Sequence, residues 1–468
     1  MEKSIKVSVA GTGYVGLITA AIFADRGIHT IALDVDKEKV AIVNKGETFF
    51  FEPNLEPLIK RVVLDKKTLR ASTDAIEAIK DSNITFICVG TPSIKDGSID
   101  LQYVKQVSKD IGEALAKKDE YHLVVAKSTI VPNTTRNIIK EIIEQHSGKI
   151  AGKDFGLCMS PEFLREGQSV QDTIFPDRII IGYIEEKSGL KLEEIFKQLY
   201  EEKDDDFSKI WEQIYHKKVN CPKIIKCSLE TAECIKYANN SFLATKISFI
   251  NEFANICERI EGVDINQIAE AIGLDFRINP HFLRAGAGFG GSCFPKDVNA
   301  IMHFAEKHQY NPGLLHSVIK VNEHQALRMI ELAEEKAGDL RGKKIALLGL
   351  SFKPDTDDMR NAPSIKIIDY LIAKGANVFG YDPEAMKEAK KDSWIGNKIS
   401  YAETIKEALD AADVCLLLTE WAEFRKLQPT DFKIMKTPIL IDGRRIFDYK
   451  KFYEEGIQYA GIGLGNKK

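Results

Sequence analysis

The run Ile5-Lys6-Val7-Ser8-Val9-Ala10 passes without a spacer into Gly11-Thr12-Gly13-Tyr14-Val15-Gly16, which opens straight into Leu17-Ile18-Thr19-Ala20-Ala21-Ile22-Phe23-Ala24. A β-rich run, a glycine turn and an apolar helical run in that order leave few folds open. The glycines let the backbone turn tightly, and the helix N-terminus presents N–H groups to an anion. A second β-rich run, Thr30-Ile31-Ala32-Leu33, ends in Asp34. That is about 20 residues past the first glycine, where a carboxylate bonds the ribose hydroxyls of a dinucleotide whose pyrophosphate lies on the helix. Gly11, Gly13, Tyr14, Val15, Gly16 and Asp34 are therefore candidate cofactor residues. An acid at 34 favours NAD, because it repels the 2′-phosphate of NADP; Lys39 close by softens that preference.

The pattern continues. Ile84-Thr85-Phe86-Ile87-Cys88-Val89 runs into Gly90-Thr91-Pro92, and Leu123-Val124-Val125-Ala126 into Lys127-Ser128-Thr129. Ligands of open parallel sheets sit at such carboxyl ends, so Thr91 and Thr129 either face a ligand or merely serve the turns. From about 228 to 335 apolar residues recur at helical spacing, as at Ile235, Ala238, Phe242 and Phe249. Strand-like runs then resume at Ile345–Leu350, 376–383, 413–419 and 438–445. The expected fold class is α/β, with two Rossmann-like α/β domains joined by a central helical region. The expected segments are 1–220, 221–335 and 336–468, which suits 468 residues at about 150 per domain. Lys353, Arg360, Arg444 and Arg445 follow strand ends, where a phosphorylated ligand meets them.

Chemistry concentrates at Gly288-Phe289-Gly290-Gly291-Ser292-Cys293-Phe294-Pro295-Lys296-Asp297. A glycine-rich loop that ends in a thiol, an ammonium and a carboxylate suits a nucleophile, Cys293, with Lys296 and Asp297 to favour the thiolate and hold a water. Ser160-Pro161 looks like an N-cap and first helical residue, which would stack Glu162 and Glu166 one turn apart. Such a pair is either a solvated face or a general base with a water holder. Lys236 and Asn240 share a helix face by their spacing, and are either partly exposed or catalytic.

Sixty-five basic against 69 acidic residues, a net charge of −4, give no pull on nucleic acid. No run approaches the ~20 apolar residues of a membrane span, and no signal-like apolar core follows Met1, so a cytoplasmic protein is expected. Eight scattered cysteines without a CxxC pair suggest reduced thiols. The spacing of Cys221, Cys227 and Cys234 fits no zinc pattern, so no metal is expected. The charged stretch 185–219, centred on Glu201-Glu202-Lys203-Asp204-Asp205-Asp206, looks like a solvated surface excursion without chemistry.

Taken together, the glycine turn, Phe51-Glu52-Pro53, Lys127-Ser128-Thr129, Ser160-Pro161-Glu162-Phe163-Leu164, Lys236 with Asn239-Asn240, Gly288 to Asp297, Gly349 to Lys353 and Asp442-Gly443-Arg444-Arg445 resemble the nucleotide-sugar dehydrogenases, the family of UDP-glucose and GDP-mannose dehydrogenases. The resemblance runs nearly end to end. It implies a C6 alcohol oxidised twice with NAD, the aldehyde held on Cys293 as a thiohemiacetal and then a thioester that water cleaves. It implies that Lys236 and Asn240 stabilise charge on the C6 oxygen, that Asp297 and Thr129 hold a water, and that Glu162 and Glu166 assist as bases. To NAD it assigns Gly11, Gly13, Tyr14, Val15, Gly16, Asp34, Lys39, Thr91, Thr129, Glu166 and Arg360. To the nucleotide sugar it assigns Glu162, Phe163, Leu164, Lys236, Asn240, Phe282, Arg284, Gly288, Gly290, Phe352, Lys353 and Arg444. Arg277 is expected to reach the sugar of a neighbouring subunit, which implies a homo-oligomer of at least two chains. UDP-glucose is the favoured substrate by this resemblance, with GDP-mannose and UDP-N-acetylmannosamine as alternatives. A non-catalytic nucleotide-sugar sensor is a remote reading, since the thiol, Lys236 and Asp297 are all retained.

Overall fold

The computed structural model describes residues 5–201, 206–392 and 395–465. The chain divides into two units, Met1–Ala238 and Asn239–Lys468.

In the first unit, β1 (Lys6–Ala10), β2 (His29–Leu33), β3 (Leu69–Ser72), β4 (Ile84–Ile87), β5 (Leu123–Ala126), β6 (Gly156–Met159), β7 (Arg178–Tyr183) and β8 (Lys223–Ser228) form one sheet in the order β3-β2-β1-β4-β5-β6-β7-β8. Only the β6–β7 pairing is antiparallel. Strands such as Ile84–Ile87 and Leu123–Ala126 are apolar and buried at every position, as a sheet covered on both faces requires. The strand order reverses between β1 and β4, which opens a crevice outside their carboxyl ends. The helix Tyr14–Asp25, buried from Gly16 onward, packs against this sheet through Phe23, whose ring lies 5.2 Å from that of Phe86.

The stretch 185–219 corrects the expectation of a solvated excursion. Its helices Glu186–Glu201 and Asp206–Tyr215 bury Leu192, Ile195, Phe196, Leu199, Phe207 and Trp211 in the core of this unit. Charge on the outer face conceals an apolar face at helical spacing. Trp211 Nε1 donates to Asp25 Oδ2 at 2.8 Å, and Asp25 also binds Arg61 and Lys66. Burial alone would raise the Asp25 pKa, but these two cations hold it below the usual carboxylate range. Residues 202–205 of the acidic run lie outside the described residues.

In the second unit β9 (Lys344–Leu348), β10 (Asn377–Tyr381), β11 (Ser400–Tyr401), β12 (Val414–Leu417), β13 (Ile439–Asp442) and β14 (Gln458–Gly461) form an all-parallel sheet ordered β11-β10-β9-β12-β13-β14. Alternation sorts its side chains: Ile345 and Leu347 pack with Ile367, Leu371 and Met329, while Ala346 and Leu348 join the layer holding Phe424, Phe432 and Tyr459. Both ends of the chain thus adopt the expected α/β class.

In chain order, the helices Leu229–Cys257, Ile265–Gly273, Phe294–Lys307 and Gly313–Ala337 follow β8 and precede β9. The first of these reverses ordinary amphipathicity. Lys236 and Asn240 are 3% and 4% exposed, and Glu233 is fully buried, whereas Phe242 is 65% exposed and Phe249 is 48% exposed. The face that sequence periodicity marks as apolar is turned to the outside. Among the described residues, no helix is long and apolar enough to cross a membrane.

Candidate active site

The glycine turn of the first unit is fixed by packing at two of its three glycines. Gly11 has φ +96°, and a Cβ there would stand 2.8 Å from Cys88 O; at Gly16 it would stand 1.8 Å from Gly11 O. Gly13 differs. Its φ is −65°, a Cβ would meet nothing within 4 Å, and it precedes a helix with no side-chain cap and no acid in its first turn. The protein's own packing does not require glycine at 13, and the helix N-terminus it precedes offers N–H groups to an anion. Asp34 accepts Thr12 N–H at 3.0 Å, Thr12 Oγ1–H at 2.5 Å and Asp36 N–H at 3.0 Å. Burial would raise its pKa, but these donors and Lys39 hold it below the usual value. These residues fit a dinucleotide with free ribose hydroxyls. The ring of Tyr14 lies 4.2 Å from that of Phe50, and the Lys39 ammonium 5.3 Å over Phe49.

Thr91 and Thr129 meet at the carboxyl ends of β4 and β5, where Thr91 Oγ1 donates to Thr129 O at 2.8 Å. Beside them Glu162 Oε1 accepts Lys236 Nζ at 2.8 Å, a pair almost wholly removed from water. Lys236 Nζ also lies 5.5 Å over the Phe163 ring, which carries Arg178 at 4.1 Å. Glu162 and Glu166 do not share a helix face, contrary to expectation: residues 160–165 have no helical structure, and the helix begins at Ser169. Two carboxylates override the Ser-Pro signal. Glu162 Oε2 accepts Leu164 N–H within its own loop, and buried Glu52, 115 residues from Gly167, accepts the N–H groups of Gly167 and Ser169.

Sequence reasoning gave no role to three charged residues here. Lys127 has its pKa lowered by burial, an effect opposed by Cys88 and Glu162 and reinforced by Lys236. Glu52 holds Gly167 and Ser169, just after Glu166. Glu233, one turn before Lys236, accepts from Asn133 N, Thr135 N and Thr135 Oγ1; burial pushes its pKa up to about 7 against these donors.

In the second unit Cys293 caps the helix Phe294–Lys307, with Pro295 in the first turn. Its sulfur lies 3.6 Å from Ser292 Oγ. One turn on, buried Asp297 accepts Asn240 Nδ2 at 2.6 Å and Lys296 Nζ at 2.5 Å. Phe294 packs edge-on against Phe282 and Phe289, and Phe282 is held at φ +65°. The glycine loop meets the carboxyl ends of β9 and β13. Gly291 lies against the Phe352 ring, Ala287 N–H donates to Gly443 O at 3.0 Å, and Arg444 reaches Gly288 O and Phe352 O, each at 3.4 Å. Lys353 Nζ lies 5.6 Å over Phe352. Arg360 pairs with Asp358, exposed Arg277 pairs with Asp275, and Arg284 is exposed.

The second sheet repeats the first turn with a different outcome. Gly349 has φ +101° and donates to Tyr381 O at 2.8 Å, as Gly11 donates to Leu33 O. Asp382 stands where Asp34 does. Its carboxylate, however, accepts from Leu350 N, Ser351 N, Ser351 Oγ, Trp421 Nε1, Glu384 N and Ala385 N, and it is 1% exposed.

Family models match most of the chain. Those of the UDP-glucose/GDP-mannose dehydrogenase family match residues 5–201 as its NAD binding domain, 230–324 as its central domain and 346–449 as its UDP binding domain. The chain is 43% identical over 461 residues to the UDP-glucose 6-dehydrogenase AglM of Haloferax volcanii, covering 98% of this chain and 100% of that one. It is 39% identical over 460 residues to TuaD of Bacillus subtilis, also a UDP-glucose 6-dehydrogenase, covering 98% and 93%. Among solved structures it is similar to a UDP-glucose dehydrogenase from Pyrobaculum islandicum, with TM-score 0.88, 34% identity and coverage of 99% and 98%. It is also similar to a UDP-D-ManNAc dehydrogenase from Pyrococcus horikoshii, with TM-score 0.81, 27% identity and coverage of 98% and 100%. With matches to all three of its domains and 43% identity along nearly the whole chain, this protein belongs to the UDP-glucose/GDP-mannose dehydrogenase family.

Proposed function

We propose that this protein is an NAD-dependent UDP-glucose 6-dehydrogenase that oxidises the C6 alcohol to the carboxylate in two two-electron steps. The observation that carries the reading is the thiol at a helix N-terminus one turn before a buried carboxylate, Cys293 and Asp297. An alcohol dehydrogenase that stops at the aldehyde needs no such thiol.

Bound NAD+ supplies the hydride acceptor for each oxidation. The chain's own residues do the remainder. Lys236, with Glu162 as its counter-ion, and Asn240 stabilise negative charge on the C6 oxygen as it develops. Cys293 adds to the aldehyde carbon to give a thiohemiacetal, whose oxidation leaves a thioester; water then adds, the C–S bond breaks and the thiol is restored. Negative charge on sulfur is favoured by the N-terminus of the helix it caps. Asp297, oriented by Asn240 and Lys296, keeps lone pairs for a water, and Thr129 and Glu166 complete the set that moves protons. Asp382 is consumed by internal donors, so one dinucleotide site serves both oxidations and the aldehyde must be held between them. Phe163, Leu164, Arg284, Phe352, Lys353, Arg444 and the loop at Gly288 and Gly290 hold the nucleotide sugar; Arg360 joins the NAD residues. The functional segments are 1–220 for NAD, 221–335 for the central helices and 336–468 for the UDP-sugar.

The reading includes a homodimer. Phe242, Phe249, Phe253 and Ile256, with Ile260 just beyond, form one exposed stripe at helical spacing on Leu229–Cys257. Phe276, 91% exposed, adjoins Arg277, which suits an arginine that enters a neighbouring copy. All eight cysteines are free, in keeping with a cytoplasmic setting.

The test is the NADH formed per sugar from limiting UDP-glucose, beside GDP-mannose and UDP-N-acetylmannosamine. Two NADH per UDP-glucose, with the others poor, is expected. One per sugar removes Cys293 from its role, and turnover on another sugar alone changes the substrate.

A further inference from the structure

The loop Gly286–Gly291 contains four glycines and so has little stiffness of its own, yet its backbone is pinned from beneath by side-chain amides. Asn322 grips both sides of one residue: its Oδ1 accepts Phe289 N–H at 2.7 Å and its Nδ2 donates to Phe289 O at 3.0 Å. Gly286 is held in the same manner by two residues, its N–H donating to Asn251 Oδ1 at 2.8 Å and its carbonyl accepting Gln325 Nε2 at 2.9 Å. Asn251 and Gln325 are fully buried, and Asn255 Nδ2 fixes the far side of Gln325 by donating to its Oε1 at 2.8 Å. Asn322 and Gln325 lie one turn apart on Gly313–Ala337. Gly288, at φ +101°, fits so closely that a Cβ would stand 2.9 Å from Asn322 Oδ1.

We propose that Asn322, supported by Asn251 and Gln325, is a positioning residue that holds the glycine loop ready for the nucleotide sugar and thereby sets the bearing of Cys293. The inference rests on the assignment of that loop and Cys293 to the sugar site. Buried amides that only satisfied peptide groups could do so on any regular segment. Here both amide atoms of one side chain are spent on a single residue, four positions before the thiol it presents, within a stretch whose glycines would otherwise sample many conformations. Without the grip, ordering the loop falls to the substrate and weakens its binding.

Asn322→Ala removes both bonds; Asn322→Asp keeps the volume and the acceptor for Phe289 N–H but sets a carboxylate oxygen against Phe289 O. Each variant is to be assayed for kcat and for KM toward UDP-glucose and toward NAD separately, and for UDP-glucose binding by calorimetry. A rise of about tenfold or more in KM and Kd for UDP-glucose is expected in Asn322→Ala, with the KM for NAD within about twofold. Asn322→Asp, chosen to fold if the alanine variant does not, should shift the same two constants. A fall in kcat alone with both KM values unchanged would mark a merely structural residue and overturn the proposal, as would UDP-glucose binding unchanged in a folded variant. Because calorimetry reads binding without turnover, it judges the loop even if Cys293→Ser shows that the thiol is not the nucleophile.

Discussion

Trp421 Nε1 donates to Asp382 Oδ2 at 3.2 Å, closing over the carboxylate at the end of β10. Its counterpart at the end of β2, Asp34, keeps partial exposure and accepts from Thr12 and Asp36 in the turn around it. The same strand, glycine and acid arrangement thus leaves its acid partly open in one half and makes it an internal brace in the other. The brace fixes Leu350 and Ser351, which lead directly to Phe352 and Lys353.

One dinucleotide per chain follows. Calorimetric titration with NADH should saturate at one per chain, and a second equivalent bound with comparable affinity would refute the closure at Asp382.

Gly13 and Gly11 should fail in different ways. Gly13→Ala should raise the KM for NAD by about tenfold with little change in melting temperature, because a Cβ there meets nothing in the protein within 4 Å but stands where a pyrophosphate would approach the helix. Gly11→Ala costs about 1–3 kcal/mol of stability, since it forces φ +96° on alanine and a contact with Cys88 O. Equal thermal shifts in the two variants would contradict this division.

Asp297→Asn should lower kcat by about 10²–10⁴-fold, the usual loss for a proton-moving group. The KM for UDP-glucose should change far less. Wild-type turnover at saturating substrate would remove Asp297 from proton transfer.

The pH dependence of stability should carry the mark of His122. It is fully buried between Lys118 Nζ, 3.1 Å from its Nδ1, and Thr85 Oγ1, 2.8 Å from its Nε2. Burial first, and the Lys118 charge second, push its pKa well below 6.5. The unfolded chain therefore takes up a proton near pH 6.5 that the folded chain refuses, so this contribution falls as pH drops below 6.5 and is constant above it. Denaturant titrations between pH 7 and 5 should show a decline of up to about 1.4 kcal/mol per pH unit from this group. His122→Gln should flatten it; an unchanged slope would mean that His122 takes up its proton in the fold.

What could be read from the sequence was whatever spacing alone enforces. The turn at Gly11–Gly16 and the acid at 34 depend on local order, and both occupy the strand ends and helix start that order implies. The helix expected at Ser160 does not form: Glu162 takes the Leu164 N–H within its own loop, and Glu52, far away in sequence, takes those of Gly167 and Ser169. The stretch 185–219 concealed its core face beneath charge. On Leu229–Cys257 the rule that apolar residues face inward gave the wrong side, since Glu233, Lys236 and Asn240 fill the interior. The grip of Asn322 on Phe289 left no trace in the pattern, because an amide pairing 33 residues away has no period.

Among the described residues each unit contains one buried indole bonded to a carboxylate: Trp211 to Asp25 in the first, Trp421 to Asp382 in the second. The chain has three tryptophans, so replacing Trp394 with Phe leaves one fluorophore per unit. Emission from single-tryptophan derivatives of that background then reports the melting of each half separately, with no label attached. Trp421, braced to the strand end that precedes Phe352, also becomes an optical probe of nucleotide-sugar capture.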